Sequence, residues 1–296
     1  MKRTLSLIAL LLTSFGSVLA GPGYWTSNGP FGGVIYEVRF DPASAFTIYA
    51  STRGGLFRTL DGGASWTRIE NGIANSAIGM PFTLDPDAPG TLYAFDQIGI
   101  LYRSSDSGDN WAPTGYSVPT NLIPSRIEDV PGVSGQVMIA LSSYDQETFP
   151  SADVMVRRST DSGATFVAVA GIPNGRGFAS IAFDPANPSI VLAGTDYLYP
   201  TPAPAVSPDV LFRSSDGGLN FAPAFAPGVN PGYIPAVQTI AFGAGSRVYV
   251  GSSDYAVGVL RSDSDGASWN TVPGNANRLL ANPAVADEVY ASGSGV

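Results

Sequence analysis

The side chains of this chain that could do chemistry are carboxylates and tyrosines, because the sequence contains no histidine and no cysteine. This composition excludes Ser-His-Asp and Cys-His nucleophilic catalysis, and it excludes metal sites built on thiolate or imidazole. No glycine-rich phosphate loop of the P-loop type is present. Pairs of carboxylates remain, and such pairs cleave glycosidic bonds, one group acting as acid and the other as base or nucleophile.

An acid beside an aromatic residue recurs in four segments, which are Phe95-Asp96, Tyr144-Asp145, Asp196-Tyr197 and Asp254-Tyr255. Acids and aromatic platforms on one face suit a neutral sugar or a peptide. The predicted ligand-binding residues are Tyr144, Tyr197, Tyr199 and Tyr255. The candidate catalytic carboxylates are Asp145, Glu147, Asp153, Asp196 and Asp254. The alternative interpretation is that these are ordinary acids at strand ends beside half-exposed tyrosines.

A second motif returns along the chain and indicates the scaffold that would position these residues. It reads hydroxyl, any residue, Asp, any residue, Gly, any residue, small polar residue, aromatic. The third positions are 61, 106, 161, 216 and 264, and the last copy carries Ser264 in place of Asp. The residues that we assign to this box are Asp61, Gly63, Trp66, Asp106, Gly108, Trp111, Asp161, Gly163, Phe166, Asp216, Gly218, Phe221, Gly266 and Trp269.

The box has a mechanical interpretation, because a motif present in every repeat is expected to be structural. An Asp side chain can accept hydrogen bonds from nearby backbone amides and hold a turn. Glycine at the fifth position permits a positive φ, and the aromatic residue can wedge between neighbouring sheets. Metal binding is the minor alternative for these aspartates, since the repeats spread them apart, and we expect neither a metal site nor a cofactor.

Each repeat contains four short strand-like runs, two before the box and one on either side of it. An example is Val38–Pro42 followed by Thr47–Ala50, with Leu56–Arg58 leading into the first box. Four strands per repeat of this length predict one blade of a β-propeller. The fold prediction is an all-β, six-bladed propeller. Its last blade would be completed by an N-terminal strand at Tyr24–Thr26; the alternative is a truncated part of a larger propeller.

The boxes resemble those of the Asp-box, or BNR, propellers, and the resemblance extends over essentially the whole chain after residue 20. That group includes sialidases, the luminal domain of sortilin-type receptors, xyloglucan-cleaving glucanases and photosystem II assembly factors. A sialidase would need three arginines around the substrate carboxylate and a Tyr-Glu nucleophile pair. Arg39 stands in a repeat strand, and no evident Tyr partner by repeat position exists for the glutamates, which are Glu37, Glu70, Glu128, Glu147 and Glu288.

The xyloglucanase branch is similar at Gly29–Gly33 and at Tyr49–Arg58. In those enzymes the segment before the Gly-Gly pair carries a catalytic Asp. This chain has Arg53 there, lacks one residue of the segment, and has half the blades that those enzymes use. These departures argue against the same catalytic arrangement.

Length, charge and the first residues indicate an exported protein. Met1–Arg3, the apolar run Leu5–Leu12 and the small residues before Gly21 form a signal peptide pattern, with cleavage expected after Ala20. Residues 21–296 would then be the propeller domain. The formal net charge is −9, and loss of Lys2 and Arg3 leaves −11. So acidic a chain is a poor candidate for nucleic acid, and the apolar run is too short for membrane insertion.

The sequence therefore predicts a secreted or periplasmic propeller that binds a glycan or a protein without evident catalytic residues. One alternative is a glycoside hydrolase of sialidase or xyloglucanase type that uses the loop carboxylates. Another is a domain of a larger cell-surface protein. No feature of the sequence indicates an oligomeric state.

Overall fold

The structure is a computed structural model that describes residues 29–75, 79, 81–143, 153–196, 209–227, 235–252, 257–282, 285 and 287–292. In this part of the chain, antiparallel strands form five four-stranded sheets and one two-stranded sheet. The first three sheets contain β1 Ile35–Phe40, β2 Ile48–Thr52, β3 Gly55–Thr59, β4 Thr67–Arg68; β5 Phe82–Leu84, β6 Leu92–Phe95, β7 Ile100–Ser104, β8 Ala112–Ser117; β9 Leu122–Asp129, β10 Val137–Ser143, β11 Val156–Ser159 and β12 Val167–Ala168. The remaining sheets contain β13 Phe178–Phe183, β14 Val191–Thr195, β15 Leu211–Ser214, β16 Ala222–Phe225; β17 Thr239–Phe242, β18 Val248–Gly251, β19 Val259–Ser262, β20 Asn270–Val272; and β21 Arg278–Ala281 with β22 Val289–Ser292.

Every four-stranded sheet follows the chain order from its innermost to its outermost strand, which is the blade of a propeller. The prediction of a propeller with four-stranded blades is confirmed. The prediction of six such blades is wrong for the described residues, because the sixth sheet has only β21 and β22. The strand proposed to complete it, Tyr24–Thr26, lies outside the described residues.

The second strand of each four-stranded blade is buried along nearly its whole length. All residues of β6 and β10 are buried, whereas both residues of β4 and of β12 are exposed. Cover on both faces by neighbouring blades favours apolar residues at successive positions, which explains continuous runs such as Leu92–Phe95. The hydrophobic core consequently lies between the blades, as separate clusters at successive blade interfaces.

The box turns join the third and fourth strands. In the first box, Thr59 Oγ1 donates to Asp61 Oδ1 at 2.6 Å, and the same hydroxyl accepts from the amide of Gly63 at 2.9 Å. Ser65 donates from its amide to Asp61 Oδ1 and from its hydroxyl to Asp61 Oδ2. Gly108 has a φ of 93° in the second box, and a Cβ there would lie 2.5 Å from Ile69 Cδ1 of the preceding blade. The turn geometry and the blade packing therefore both require this glycine.

An arginine before the box links each of three blades to the next one. Its guanidinium donates to a backbone carbonyl in the box turn of the following blade. The pairs are Arg58 with Ser107 O, Arg158 with Gly217 O, and Arg213 with Asp265 O. In the second blade, Arg103 instead lies over the ring of Tyr93, 6.0 Å from its centroid. The seams between blades thus contain oriented polar links as well as apolar packing.

Candidate functional site

The antiparallel blades divide the propeller surface into two faces. The turns between first and second strands and the box turns lie on one face, which we call the box face. The loops between second and third strands and the connections between blades lie on the other, which we call the loop face; it includes Thr52–Gly55, Asp96–Gly99 and the chain after Thr195. Loops at one face of a rigid scaffold are where binding residues concentrate. None of the described residues forms a helix long and apolar enough to cross a membrane.

The loop face of the first blade is built on close contact between two glycine segments. A Cβ at Gly54 would lie 2.7 Å from Phe31 O and 3.1 Å from Gly32 Cα, so only glycine fits there. Thr52 Oγ1 donates to Phe31 O at 3.0 Å and accepts from the Gly54 amide at 2.9 Å. The side chain of Arg53 is exposed beside this contact. The backbone segments at Gly32 and Gly54 are therefore packed together, with the exposed Arg53 side chain beside them.

Two aspartates follow the second strands of their blades on this face. Asp96 is buried, and its Oδ1 accepts from the amides of Ile98 and Ile100, so it shapes its own loop. Asp196 is half-buried, and its Oδ2 accepts from Ser142 Oγ at 2.5 Å. Asp196 therefore ties the fourth blade to the third. This hydrogen bond holds the Asp196 carboxylate at the loop face, and it is compatible with a catalytic role for Asp196.

Most of the sequence-predicted site residues lie outside the described residues. They are Tyr144, Asp145, Glu147, Tyr197, Tyr199, Asp254 and Tyr255. Among the catalytic candidates, the described residues include Asp196 and Asp153. The Asp153 carboxylate contacts Arg157 at 3.4 Å and is 38% exposed. Whether the predicted tyrosines and acids come together therefore stays a prediction.

Arg176 is a buried cation at the base of the loop face that the sequence analysis did not single out. It is fully buried, donates to Asp209 O, and lies 6.0 Å from the ring centroid of Phe212. Burial lowers its pKa to about 10, against the charge of Asp209, which raises it. Val154 forms an isolated bridge with Arg176. Arg176 thus contacts Val154 in the third blade and Asp209 in the fourth, each of which lies just before the third strand of its blade.

The propeller axis contains a cavity of about 490 Å³, lined by the innermost strands of four blades and by β21. Its lining is polar and charged on the side of the first and third blades, at Glu37, Arg39 and Arg126. It continues past Gln238 to Arg278, whose Nη2 lies 3.4 Å from Tyr36 O. This volume is within the range of small-molecule sites.

Four side chains form an ion network across this cavity. Arg39 of β1 makes a bidentate contact with Glu128 of β9, with both nitrogen–oxygen distances at 2.8 Å. Its Nη2 also lies 2.7 Å from Glu37 Oε1. Arg126 contacts Glu128 at 2.7 Å and Glu37 at 3.0 Å. The network joins the first blade to the third, past the three-residue strand β5.

The central network brings two glutamates together, but Glu128 is held in its charged form. One nitrogen of Arg39 touches both, so Glu37 Oε1 and Glu128 Oε1 are no more than about 5.5 Å apart, which does not exceed the separation of about 5–5.5 Å in retaining glycosidases. Burial would raise the pKa of Glu128, but the charges of Arg39 and Arg126 outweigh it and hold that pKa below its usual value. A general acid must be protonated, so Glu128 does not serve as one.

A signal for this network is present in the sequence. Glu37 and Arg39 alternate in β1, and Arg126 and Glu128 alternate in β9 in the opposite order. Alternate residues of a strand face the same way, so the two charged side chains of each pair lie on the same face of their strand. The charges are complementary, which favours pairing between the first and third blades.

Comparison with known proteins identifies relatives of this chain, although no family model matches it. The chain is 27% identical over 256 residues to a xyloglucanase of Hypocrea jecorina, covering 74% of this chain and 29% of that protein. It is 26% identical to a xyloglucanase of Paenibacillus sp, covering 88% of this chain and 23% of that one. The chain therefore spans less than a third of the length of these relatives.

Solved structures with the same architecture include enzymes and a peptide-binding protein. The GH74 enzyme of Niastella koreensis superimposes with a TM-score of 0.61 at 19% identity, covering 86% of this chain and 35% of that one. YCF48 bound to D1 peptide gives a TM-score of 0.54 at 14% identity, covering 82% of this chain and 69% of that one. At these identities the matches show the fold, which is a β-propeller.

Proposed function

We propose that the protein is a carbohydrate-active propeller of the xyloglucanase type, whose ligand is a β-glucan of the xyloglucan class. The observation that carries this proposal is the similarity to two xyloglucanases over 74% and 88% of the chain. The segments that resemble those enzymes, Gly29–Gly33 and Tyr49–Arg58, meet in the structure through the contact between Gly32 and Gly54. The resemblance thus coincides with one built part of the loop face.

The chemistry of the loop face fits a neutral polysaccharide. A sugar chain carries no charge, so its binding does not need a basic surface, and the net charge of −9 is no obstacle. Arg53 is exposed at this face and can donate hydrogen bonds to the hydroxyl groups of a sugar. The tyrosines at positions 144, 197, 199 and 255 would add stacking surfaces.

Hydrolysis of the glycan is the second candidate function, and the names of the relatives favour it. The lowered pKa of Glu128 disfavours it as a general acid, so the reacting pair would come from Asp145, Glu147, Asp153, Asp196 and Asp254. Arg53 replaces the acid that the xyloglucanase segment would carry. A hydrolase of this kind would therefore place its carboxylates elsewhere on the loop face.

We also propose that β21 and β22 belong to a sixth blade that closes the ring with the strand Tyr24–Thr26. The contact between Arg278 of β21 and Tyr36 O of β1 supports this, because it brings the last sheet beside the first blade. Residues 1–20 would be removed on export, which suits an enzyme or receptor for an extracellular polysaccharide. Deleting residues 24–26 should then lower the melting temperature of the purified protein.

The experiment measures binding and cleavage on the same samples. Purified protein is titrated with xyloglucan oligosaccharides by calorimetry, and reducing ends are counted after incubation with the polymer. Arg53→Ala should weaken binding several-fold, while Arg247→Ala, on the box face, should not. Binding without cleavage supports recognition alone, and cleavage that Asp196→Asn abolishes supports the hydrolase. Absence of both from folded protein would overturn the proposal.

A further inference from the structure

An aspartate at the end of the first strand recurs in four blades, and in three of them it holds the following turn. Asp41 Oδ1 accepts from the amide of the residue two positions later at 2.8 Å, and Asp184 Oδ1 does the same at 2.8 Å. Asp85 Oδ1 accepts from the amides two and three positions later, each at 3.0 Å. The equivalent residue in the third blade is Asp129, the last residue of β9.

Asp129 cannot make this turn contact. The residue two positions later is Pro131, which has no N–H, and the next amide, that of Gly132, donates to Asp87 Oδ2 at 2.6 Å instead. Asp129 is only 6% exposed, and neither of its carboxylate oxygens has a hydrogen-bond partner within the described ranges. A buried carboxylate without donors is costly, so its retention needs a partner of another kind.

Two further carboxylates of the second blade face the same point. One oxygen from each of Asp85, Asp87 and Asp129 lies within 4.8 Å of the others. The loop of the third blade is held against them, because Ser134 Oγ and the Gly135 amide donate to Asp85 Oδ2 at 3.0 and 2.9 Å. Burial and the charges of Asp85 and Asp87 together raise the pKa of Asp129 to about 8.

We propose that Asp85, Asp87 and Asp129 bind a Ca²⁺ ion between the second and third blades, on the box face. All three ligands are carboxylates, which are the ligands that hard cations such as Ca²⁺ prefer. Their oxygens lie within 4.8 Å of one another, close enough for one ion to contact all three, and Ca²⁺ accepts flexible coordination geometry where Mg²⁺ demands a near-ideal octahedron. No described histidine or cysteine is present to favour zinc.

The three ligands differ in their roles. Asp129 offers both oxygens, since neither is engaged among the described residues. Asp87 is exposed and supplies the entry side, with water completing the coordination shell. Asp85 already accepts four hydrogen bonds, so it contributes mainly its charge and the position of the loop. The bound ion would join the second blade to the third, whereas the central ion network joins the first blade to the third.

The test is Ca²⁺ titration of the chelator-treated full chain, read by calorimetry and by thermal unfolding. The wild-type protein should bind one ion and melt about 5 °C or more higher at a hundredfold excess of Ca²⁺ over Kd. Asp129→Asn should lose this increase while its metal-free form melts no lower than the wild type, because an amide is no more costly to bury there than a carboxyl group without hydrogen-bond partners among the described residues. Asp184→Asn, at the equivalent turn of the fourth blade, should keep the full increase.

A second variant keeps the test decisive if Asp129→Asn fails to fold. Asp87→Asn changes an exposed side chain, so it should fold and bind Ca²⁺ at least tenfold more weakly. No Ca²⁺-dependent increase in the wild type would overturn the proposal and indicate a protonated Asp129. An increase that survives Asp129→Asn would overturn the assignment of the ligands, and an increase with Mg²⁺ alone would overturn the assignment of the ion.

Discussion

Replacing Arg39 with methionine should destabilise the propeller through the charges that it leaves behind. Methionine keeps much of the apolar stem but removes the guanidinium that contacts Glu37 and Glu128. The two carboxylates, no more than about 5.5 Å apart, would then share only Arg126. Their side chains are 12% and 13% exposed, so solvent screens this repulsion weakly.

The expected loss of stability is about 2–3 kcal/mol, below the 3–5 kcal/mol for a fully buried pair because Arg126 still compensates part of the charge. For a chain of this size that corresponds to a fall in melting temperature of about 4–12 °C. Urea unfolding followed by tryptophan fluorescence measures the change as a lower midpoint at unchanged slope. Arg278→Met is the matched control, since this exposed arginine of the same cavity has only 3.4 Å contacts to backbone carbonyls.

Acid should reduce the difference between the two proteins. In the wild type the pKa of Glu128 is held below its usual value, so this carboxylate stabilises the fold above its unfolded pKa of about 4.3 and stops doing so as the pH falls through the lower folded value. The variant lacks most of this contribution, so its deficit is largest at neutral pH and closes on acidification. A deficit under 1 kcal/mol, or one that does not change with pH, would refute the reasoning.

Three further outcomes follow from other parts of the structure. Hydrogen bonds from Asn110 and Ser104 lower the pKa of Asp106 to about 2, against a small opposing effect of burial. The turn of this box should therefore stay intact down to about pH 4 and weaken only as the pH approaches 2. Titration of the Asp106 carboxyl by NMR measures this pKa. Gly54→Ala places a Cβ 2.7 Å from a backbone oxygen and should cost about 1–3 kcal/mol, whereas Gly29→Ala, where a Cβ meets nothing within 4 Å, should cost less than about 0.5 kcal/mol, both by urea unfolding. Arg176→Leu removes a fully buried cation and leaves Asp209 O without its donor, so a loss of about 2–4 kcal/mol and faster limited proteolysis on the loop face are expected.

The blades could be predicted from the sequence because their signals are local. A run such as Leu92–Phe95, a turn and a box fall within one repeat, and repetition confirms each of them. The sixth blade could not be settled in this way, since β21 and β22 precede no box. The strand assigned to complete it stands at the other end of the chain, where no repeat specifies its partner.

The candidate site was harder to predict because its contacts join distant repeats. Arg39 and Glu128 are 89 residues apart, and their pairing depends on how far two blades lean toward the axis, which no period encodes. Ser142 and Asp196 meet across 54 residues for the same reason. The unusual position of Asp129 is predictable from the sequence, because Pro131 removes the amide that three other repeats use to close the same turn.

The arginine that precedes each box has a consequence for how such a chain can change its number of repeats. The fourth blade carries both halves of this contact, because its Gly217 O accepts from Arg158 of the third blade and its Arg213 donates to Asp265 O of the fifth. A tandem duplication of one repeat would therefore create a new seam whose polar link is already encoded. Gene duplication could lengthen or shorten a propeller of this kind by whole units, with no compensating substitution needed at the new junction.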